Sequence, residues 1–144
     1  MLNVPIRNLD SSNELPAYAH PGDAGLDLRA STDATLKPFQ RATIPCGFAI
    51  AIPEGFGGFV VPRSGLASKH GISIVNAPGL IDSGYRGEVM VVLVNLDAEH
   101  EFVIHRGDRI AQLVIMQTPA VTLAPTDTLP DAMRGENGFG SSGV

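Results

Sequence analysis

Tryptophan is absent from this chain of 144 residues, and its aromatic content is two tyrosines and six phenylalanines. A core without large aromatics has to be built from Val, Ile, Leu and Ala, and apolar residues at 44% are numerous enough to build one. A single cysteine, Cys46, excludes an intrachain disulfide and a cysteine-rich metal site. His20, His70, His100 and His105 are scattered, so neither zinc spacing nor a histidine-based nucleophile system is supported. Positive charge is also scarce. Ten Lys and Arg against fifteen Asp and Glu leave a net charge of −5, which argues against a nucleic-acid polymer as partner. A small polyphosphate is compatible, because a few local arginines suffice for it. No apolar run is long enough to span a membrane, and the opening "MLNVPIRNLD" lacks the apolar stretch of a signal peptide. The expectation is a cytoplasmic protein with no membrane partner.

The chain is rich in punctuation. Sixteen glycines and eleven prolines are spread along it and leave no room for long helices. Between them lie short, β-branched runs at 42–52, 56–61, 71–76, 89–96 and 102–115. Turn residues separate them roughly every 8–12 positions, which predicts an all-β sandwich or barrel. "SGLASKH", at 64–70, is the one short helix predicted, with Ser64 placed to cap it and Gly71 to end it. The length suits one domain, without internal repeats. The glycine-rich end "RGENGFGSSGV" reads as a mobile tail, so residues 1–133 form the domain and 134–144 its tail.

Five stretches carry chemistry. "PRSGLAS" at 62–68 joins an arginine, a hydroxyl and helix-opening N–H groups, which suits an anion; a plain helix cap beside a surface arginine is the competing reading. In "NAPGLIDSGYRGEV", Ser83-Gly84 fits a hairpin turn and sets Asp82 beside it. Asp82 is then a turn-stabilising side chain or a general base that activates water. Asn76 favours the second reading, since its amide donates and accepts as a planar heterocycle edge requires. Tyr85 adds a flat apolar face for a sugar or ring. In "DAGLDLRA", alternation puts Leu26 and Leu28 on one face and Asp27 on the other, as a solvated residue or as one that orients waters around a hard cation. In "HRGDRIAQLVI", Gly107-Asp108 marks a turn, Asp108 and Arg109 pair at the surface, and the Gln112 amide is placed to reach a phosphate oxygen. In the tail, glycines allow close backbone approach to a phosphate, with Arg134 for charge and Phe139 for stacking; an ordinary disordered terminus is the alternative.

Taken together and in this order, the five stretches resemble the five motifs of the trimeric deoxyuridine triphosphate nucleotidohydrolases, the dUTPases. The resemblance runs from Asp23 to Gly143, and "PRSGLA" followed by "NAPGLIDSGYRGEV" is its most specific part. It implies a jelly-roll-like β-barrel and a homotrimer with active sites shared between subunits. The implied reaction is Mg²⁺-assisted hydrolysis of dUTP to dUMP and pyrophosphate, which keeps uracil out of DNA and supplies dUMP for thymidylate synthesis.

The resemblance also implies roles for individual residues. Asp82 would activate the water that attacks the α-phosphorus. Asp27 would contact the metal only through water, with no direct protein ligand. Arg63, Ser64 and Gly65 would hold the phosphates with Gln112. Asn76 and the backbone from Gly79 through Leu80 and Ile81 to Asp82 would read uracil. Tyr85 would pack on the deoxyribose and leave no room for a 2′-hydroxyl, with Met90 as a further contact. The tail would close as a lid, with Arg134 on the γ-phosphate, Phe139 over the base, and Gly140 and Ser141 alongside. Asn137 departs from the family, which more often has glycine there, and Ser142 replaces a common threonine while keeping the hydroxyl. Two other readings stand beside this one: a dCTP deaminase, which would release ammonia from dCTP, and a binding module on the same fold that hydrolyses nothing.

Overall fold

Ten strands and one short helix occupy residues 2–132 and Gly135, the part of the chain that the computed structural model describes. In chain order they are β1 (Ile6–Asn8), β2 (Leu26–Arg29), β3 (Ala34–Leu36), β4 (Arg41–Ile50), β5 (Phe56–Val61), α1 (Ser64–His70), β6 (Ile72–Ile74), β7 (Gly79–Ile81), β8 (Glu88–Asn95), β9 (Phe102–Ile104) and β10 (Arg109–Gln117). They form two four-stranded antiparallel sheets, ordered β1-β4-β8-β6 and β2-β10-β5-β7, and a two-stranded ribbon, β3-β9. From β4 to β8 successive strands alternate between the two large sheets. This is the jelly-roll-like β architecture expected. Among the described residues the sheets pack as layers and do not close into one continuous barrel.

Period-two patterning explains which faces are buried. In β8, Val89, Val91, Leu93 and Asn95 point inward, while Met90, Val92 and Val94 point the other way. Both sheets contribute to one core, which includes Leu28, Ile44, Phe48, Val91, Leu93 and Leu113. Each fully buried aliphatic side chain there contributes on the order of 1.5–3 kcal/mol. The scarcity of aromatics is met as expected, with Phe48 the one fully buried ring among the largest core side chains. Cys46 belongs to this core. Burial, reinforced by the Glu88 carboxylate, pushes its thiol up to about 12, so it packs and does not react as a nucleophile.

Three local expectations need correction. The Ser83-Gly84 turn forms, with Tyr85 N–H donating to the Asp82 carbonyl at 3.1 Å, but it is not a hairpin. Its flanking strands, β7 and β8, belong to different sheets, so the chain crosses from one layer to the other there. Ser64 does not cap α1. It is the first helical residue, the N-cap position falls on Arg63, and no side-chain hydrogen bond caps the helix. Gly71 does end the helix, in the left-handed conformation with φ 64°. Finally, Asp108 and Arg109 do not pair. The Asp108 carboxylate accepts the His105 backbone N–H at 2.8 Å, and Arg109 turns to Asp27.

Residues 10–14, ahead of the first motif, are fastened by side chains. Arg106 donates to the Asp10 carboxylate and the Ser12 hydroxyl, and its backbone N–H donates to Asp33 at 2.7 Å. Arg29 pairs with Glu14 at 2.9 Å, and the Asn13 amide donates to the Cys46 carbonyl at 3.1 Å. The Ser12 hydroxyl, then the Ser12 N–H and the Arg106 charge, hold the Asp10 carboxyl below its ordinary value of 3.8. A depressed carboxyl contributes stability that is present above 3.8 and lost as pH falls through the lower folded value. Asp10→Asn should therefore lower stability at neutral pH, leave it nearly unchanged at the acid extreme, and so flatten the pH dependence of unfolding on the acid side of 3.8, as acid titrations of the two proteins would reveal.

Candidate active site

A carboxylate gripped by two arginines stands at the centre of one group of residues. Asp27, on β2, is buried, and its side chain is 10% exposed. Arg63 Nε lies 3.4 Å from its Oδ1, and Arg109 Nη1 lies 3.2 Å from its Oδ2. Arg63 also donates to the Arg109 backbone carbonyl at 3.2 Å, which ties the entry to α1 to the start of β10. The reading of Asp27 as a solvated strand residue is thereby overturned: long arginines from distant elements cover the face that alternation left open. Gln112 is the cross-strand partner of both Asp27 and Val61, so it lies between β2 and β5. A Cβ on Gly25 would lie 3.1 Å from the Gln112 Cβ, so the glycine makes the seat for that side chain. Ser64 and Gly65 are exposed in the first turn of α1 beside Arg63. Two guanidiniums against one carboxylate leave the cluster with a net +1 charge, suited to a phosphate chain. Arg63 and Arg109 also line a cavity of about 360 Å³ with Leu66, His70, Phe102 and Asp108.

The donors also determine which kind of cation fits. Among the described residues no three His, Cys, Asp or Glu side chains come together as a metal cage. The buried Asp27 Oδ1, however, lacks a hydrogen-bond partner and retains capacity to accept one. That arrangement fits a hard cation that travels with phosphates and waters, with one carboxylate oxygen reaching it through water.

A second group lines a cleft where β7 meets β8. Asn76, Gly79, Leu80, Ile81 and Met90 surround a cavity of about 70 Å³. Leu80, Ile81, Tyr85, Val89 and Met90 surround an adjoining one of about 180 Å³. Leu80, Tyr85 and Met90 are 61%, 44% and 49% exposed, an apolar lining left open to a flat ligand. Each cavity is below the roughly 300 Å³ of an ordinary small-molecule site, so the cleft suits part of a ligand and not all of it. Asp82 follows Ile81 at the rim and is exposed.

The second group runs along β5, with Gly79 near its Val61 end and Asp82 at the end far from Arg63. Gly58 pairs with Ile81 and Val60 with Gly79, so Asp82 falls one step past the Gly58 end. Arg63 lies just beyond the Val61 end, and Val61 shares a row with Gln112 and Asp27. Six residues of strand at about 3.3 Å each separate position 57 from Arg63, on the order of 20 Å. The structure thus brings Asp27, Arg63, Ser64, Gly65 and Gln112 together, and Asn76, Gly79, Leu80, Ile81, Asp82, Tyr85 and Met90 together, with Asp82 set apart from Arg63 within one chain. Arg134, Phe139, Gly140 and Ser141, with Asn137 and Ser142, lie outside the described residues. Sequence reading missed Arg109 as a partner of Asp27, for which spacing holds no signal. It also missed Arg86 and Gly87, although both lie inside a quoted motif.

The sheets and the two groups define a mostly-β protein with a cationic cluster around Asp27 and an open apolar cleft beside Asp82. The dUTPase family model matches residues 11–143. The chain is 57% identical over 132 residues to the deoxyuridine 5'-triphosphate nucleotidohydrolase of Leifsonia xyli subsp. xyli, covering 92% of this chain and 87% of that protein. It is 54% identical over 142 residues to the protein of the same description from Bifidobacterium longum subsp. infantis, covering 98% and 90%. Among solved structures, a variant dUTPase of Staphylococcus bacteriophage 80alpha with dUpNHpp superposes with a TM-score of 0.92 at 29% identity, covering all of both chains. A variant dUTPase from phage phi11 of S. aureus, solved with attention to a structural Mg(II) ion, gives 0.83 at 26% identity, covering 90% of this chain and 100% of that one. The chain belongs to the dUTPase family. No helix among the described residues is long and apolar enough to cross a membrane.

Proposed function

We propose that this protein is a cytoplasmic dUTP diphosphatase that works as a homotrimer and builds each active site from more than one subunit. The observation that carries the reading is the separation of Asp82 from Arg63 along β5. Asp82 and Arg63, on the order of 20 Å apart along one chain, meet at one site only when Asp82 of one subunit faces the phosphate cluster of the next. In that arrangement Asn76 and the backbone from Gly79 through Leu80 and Ile81 to Asp82 read uracil, Tyr85 and Met90 pack on the deoxyribose side, and Asp82 takes the proton of the water that attacks the α-phosphorus. Arg63, with the N–H groups of Ser64 and Gly65 and the amide of Gln112, holds the phosphates and neutralises charge on the departing pyrophosphate. Asp27 fixes Arg63 and would reach Mg²⁺ through water from Oδ1; when bound, the metal supplies further neutralisation of the triphosphate. Arg134, Phe139, Gly140 and Ser141 are proposed to complete the site from the C-terminal segment of a subunit. The reaction consumes dUTP, a precursor of uracil in DNA, and its product dUMP serves thymidylate synthesis.

Two inactive variants test the sharing. Arg63→Ala damages the phosphate cluster and spares the cleft; Asp82→Asn does the reverse. A site that draws Arg63 from one subunit and Asp82 from its neighbour is intact in about one quarter of cases when the two are co-assembled at random in equal amounts. Co-expression should therefore recover roughly a quarter of wild-type pyrophosphate release from two proteins that are each nearly inert. A co-assembled preparation as inert as its parents would place both residues in one subunit's site.

A further inference from the structure

Between Tyr85 and the start of β8 the chain carries a glycine whose backbone needs no glycine. Gly87 is not among the residues with positive φ. What it provides is clearance. A Cβ at this position would lie 2.5 Å from the Tyr85 hydroxyl oxygen, 2.7 Å from Cζ and 3.1 Å from Cε2. The first two distances are closer than real Cβ contacts, so any larger residue at 87 evicts the phenol from its present seat. In that seat the Tyr85 hydroxyl donates to the Glu88 carbonyl at 2.8 Å. The Glu88 side chain in turn accepts the Gly47 N–H at 2.9 Å, anchoring the strand against β4.

The backbone around the ring is braced at several points, the ring only through its hydroxyl. Arg86 Nη1 donates to the Ser83 carbonyl at 2.6 Å and to the Tyr85 carbonyl at 2.7 Å, and Tyr85 N–H donates to Asp82. A clash at 87 is thus relieved by swinging a half-exposed side chain and not by moving a turn held at three points. The ring lines the same cavity as Leu80 and Met90, so a swing changes the shape of the cleft directly.

We infer that Gly87 is a positioning residue for sugar discrimination: it lets the Tyr85 ring lie flat at the cleft, pinned by its hydroxyl to Glu88, so that the ring closes the space a 2′-hydroxyl would need. The inference rests on the reading of the protein as a dUTP-hydrolysing enzyme. Gly87→Ala should lower the ratio of kcat/KM for dUTP over UTP by at least ~10-fold, an effect of the size expected for a lost steric contact in a pocket. Tyr85→Phe, which adds no atom and removes only the pin to Glu88, should lower it less. A readout independent of turnover is available because the chain has two tyrosines and no tryptophan. In a Tyr18→Phe background the remaining fluorescence comes from Tyr85, and Gly87→Ala should make it more accessible to acrylamide. An unchanged selectivity ratio overturns the proposal, whether or not quenching changes. Unchanged quenching also overturns it, because the ring has then not moved. Absence of dUTP hydrolysis by the unsubstituted protein would instead remove the functional reading, while the quenching still decides whether Gly87 seats the ring. Should Gly87→Ala not fold, an unchanged ratio for Tyr85→Phe overturns the pinning.

Discussion

Asp82→Asn is expected to retain dUTP binding and to hydrolyse dUTP at least ~100-fold more slowly, the usual scale for loss of a general base. Asparagine is the discriminating substitution because it changes little else. The Asp82 main-chain carbonyl accepts the Tyr85 N–H, a bond that asparagine preserves, and Asn is as well suited to a turn as Asp. The carboxylate stands exposed at the rim beside Ile81 and Leu80, so replacing it opens no cavity in the core. Pyrophosphate release measured beside calorimetric binding of dUpNHpp separates the two effects. Turnover near the wild-type rate would show that water is activated by another group, and loss of binding would reassign Asp82 to the reading of uracil.

What the sequence made legible follows the range of the forces involved. β5 coincides with the run read at 56–61, and β8 lies within one residue of the run read at 89–96, because period-two burial is a local signal. The cleft was legible for the same reason: Asn76 to Met90 is one contiguous stretch that folds over itself. The hairpin was misread because Ser83-Gly84 specifies a turn but not the sheet that each flanking strand will join. The burial of Asp27 was not legible because alternation describes one strand in isolation. Its actual neighbours, Arg63 and Arg109, arrive from the end of β5 and the start of β10, the latter 82 positions away. The cap at Ser64 failed on a one-residue offset, since a serine beside an arginine serves equally well as cap or as first helical residue. Gly87 carries no signal of its own in the sequence, and only the placement of the Tyr85 ring shows that its missing side chain is the point.

The arginine grip on Asp27 leads to a prediction of comparable size, on stability. A carboxylate with 10% of its side chain exposed cannot recover the hydration it gave up, so the two guanidiniums compensate it inside the fold. Removing one arginine leaves the other. Arg63→Met or Arg109→Met should each be tolerated, since methionine retains much of the covering stem. Removing both leaves an uncompensated charge, and the double variant should lose about 3–5 kcal/mol against urea, more than the two single losses combined. Adding Asp27→Asn to that double variant should restore most of the loss, because the charge requiring compensation is gone. Activity should not return with it, since the groups that hold the phosphates are still missing. A triple variant no more stable than the double would mean that the arginines stabilise the fold by packing alone. Recovery would establish that the arginines stabilise the fold by compensating the buried Asp27 carboxylate, the same contact that fixes Arg63 in its position.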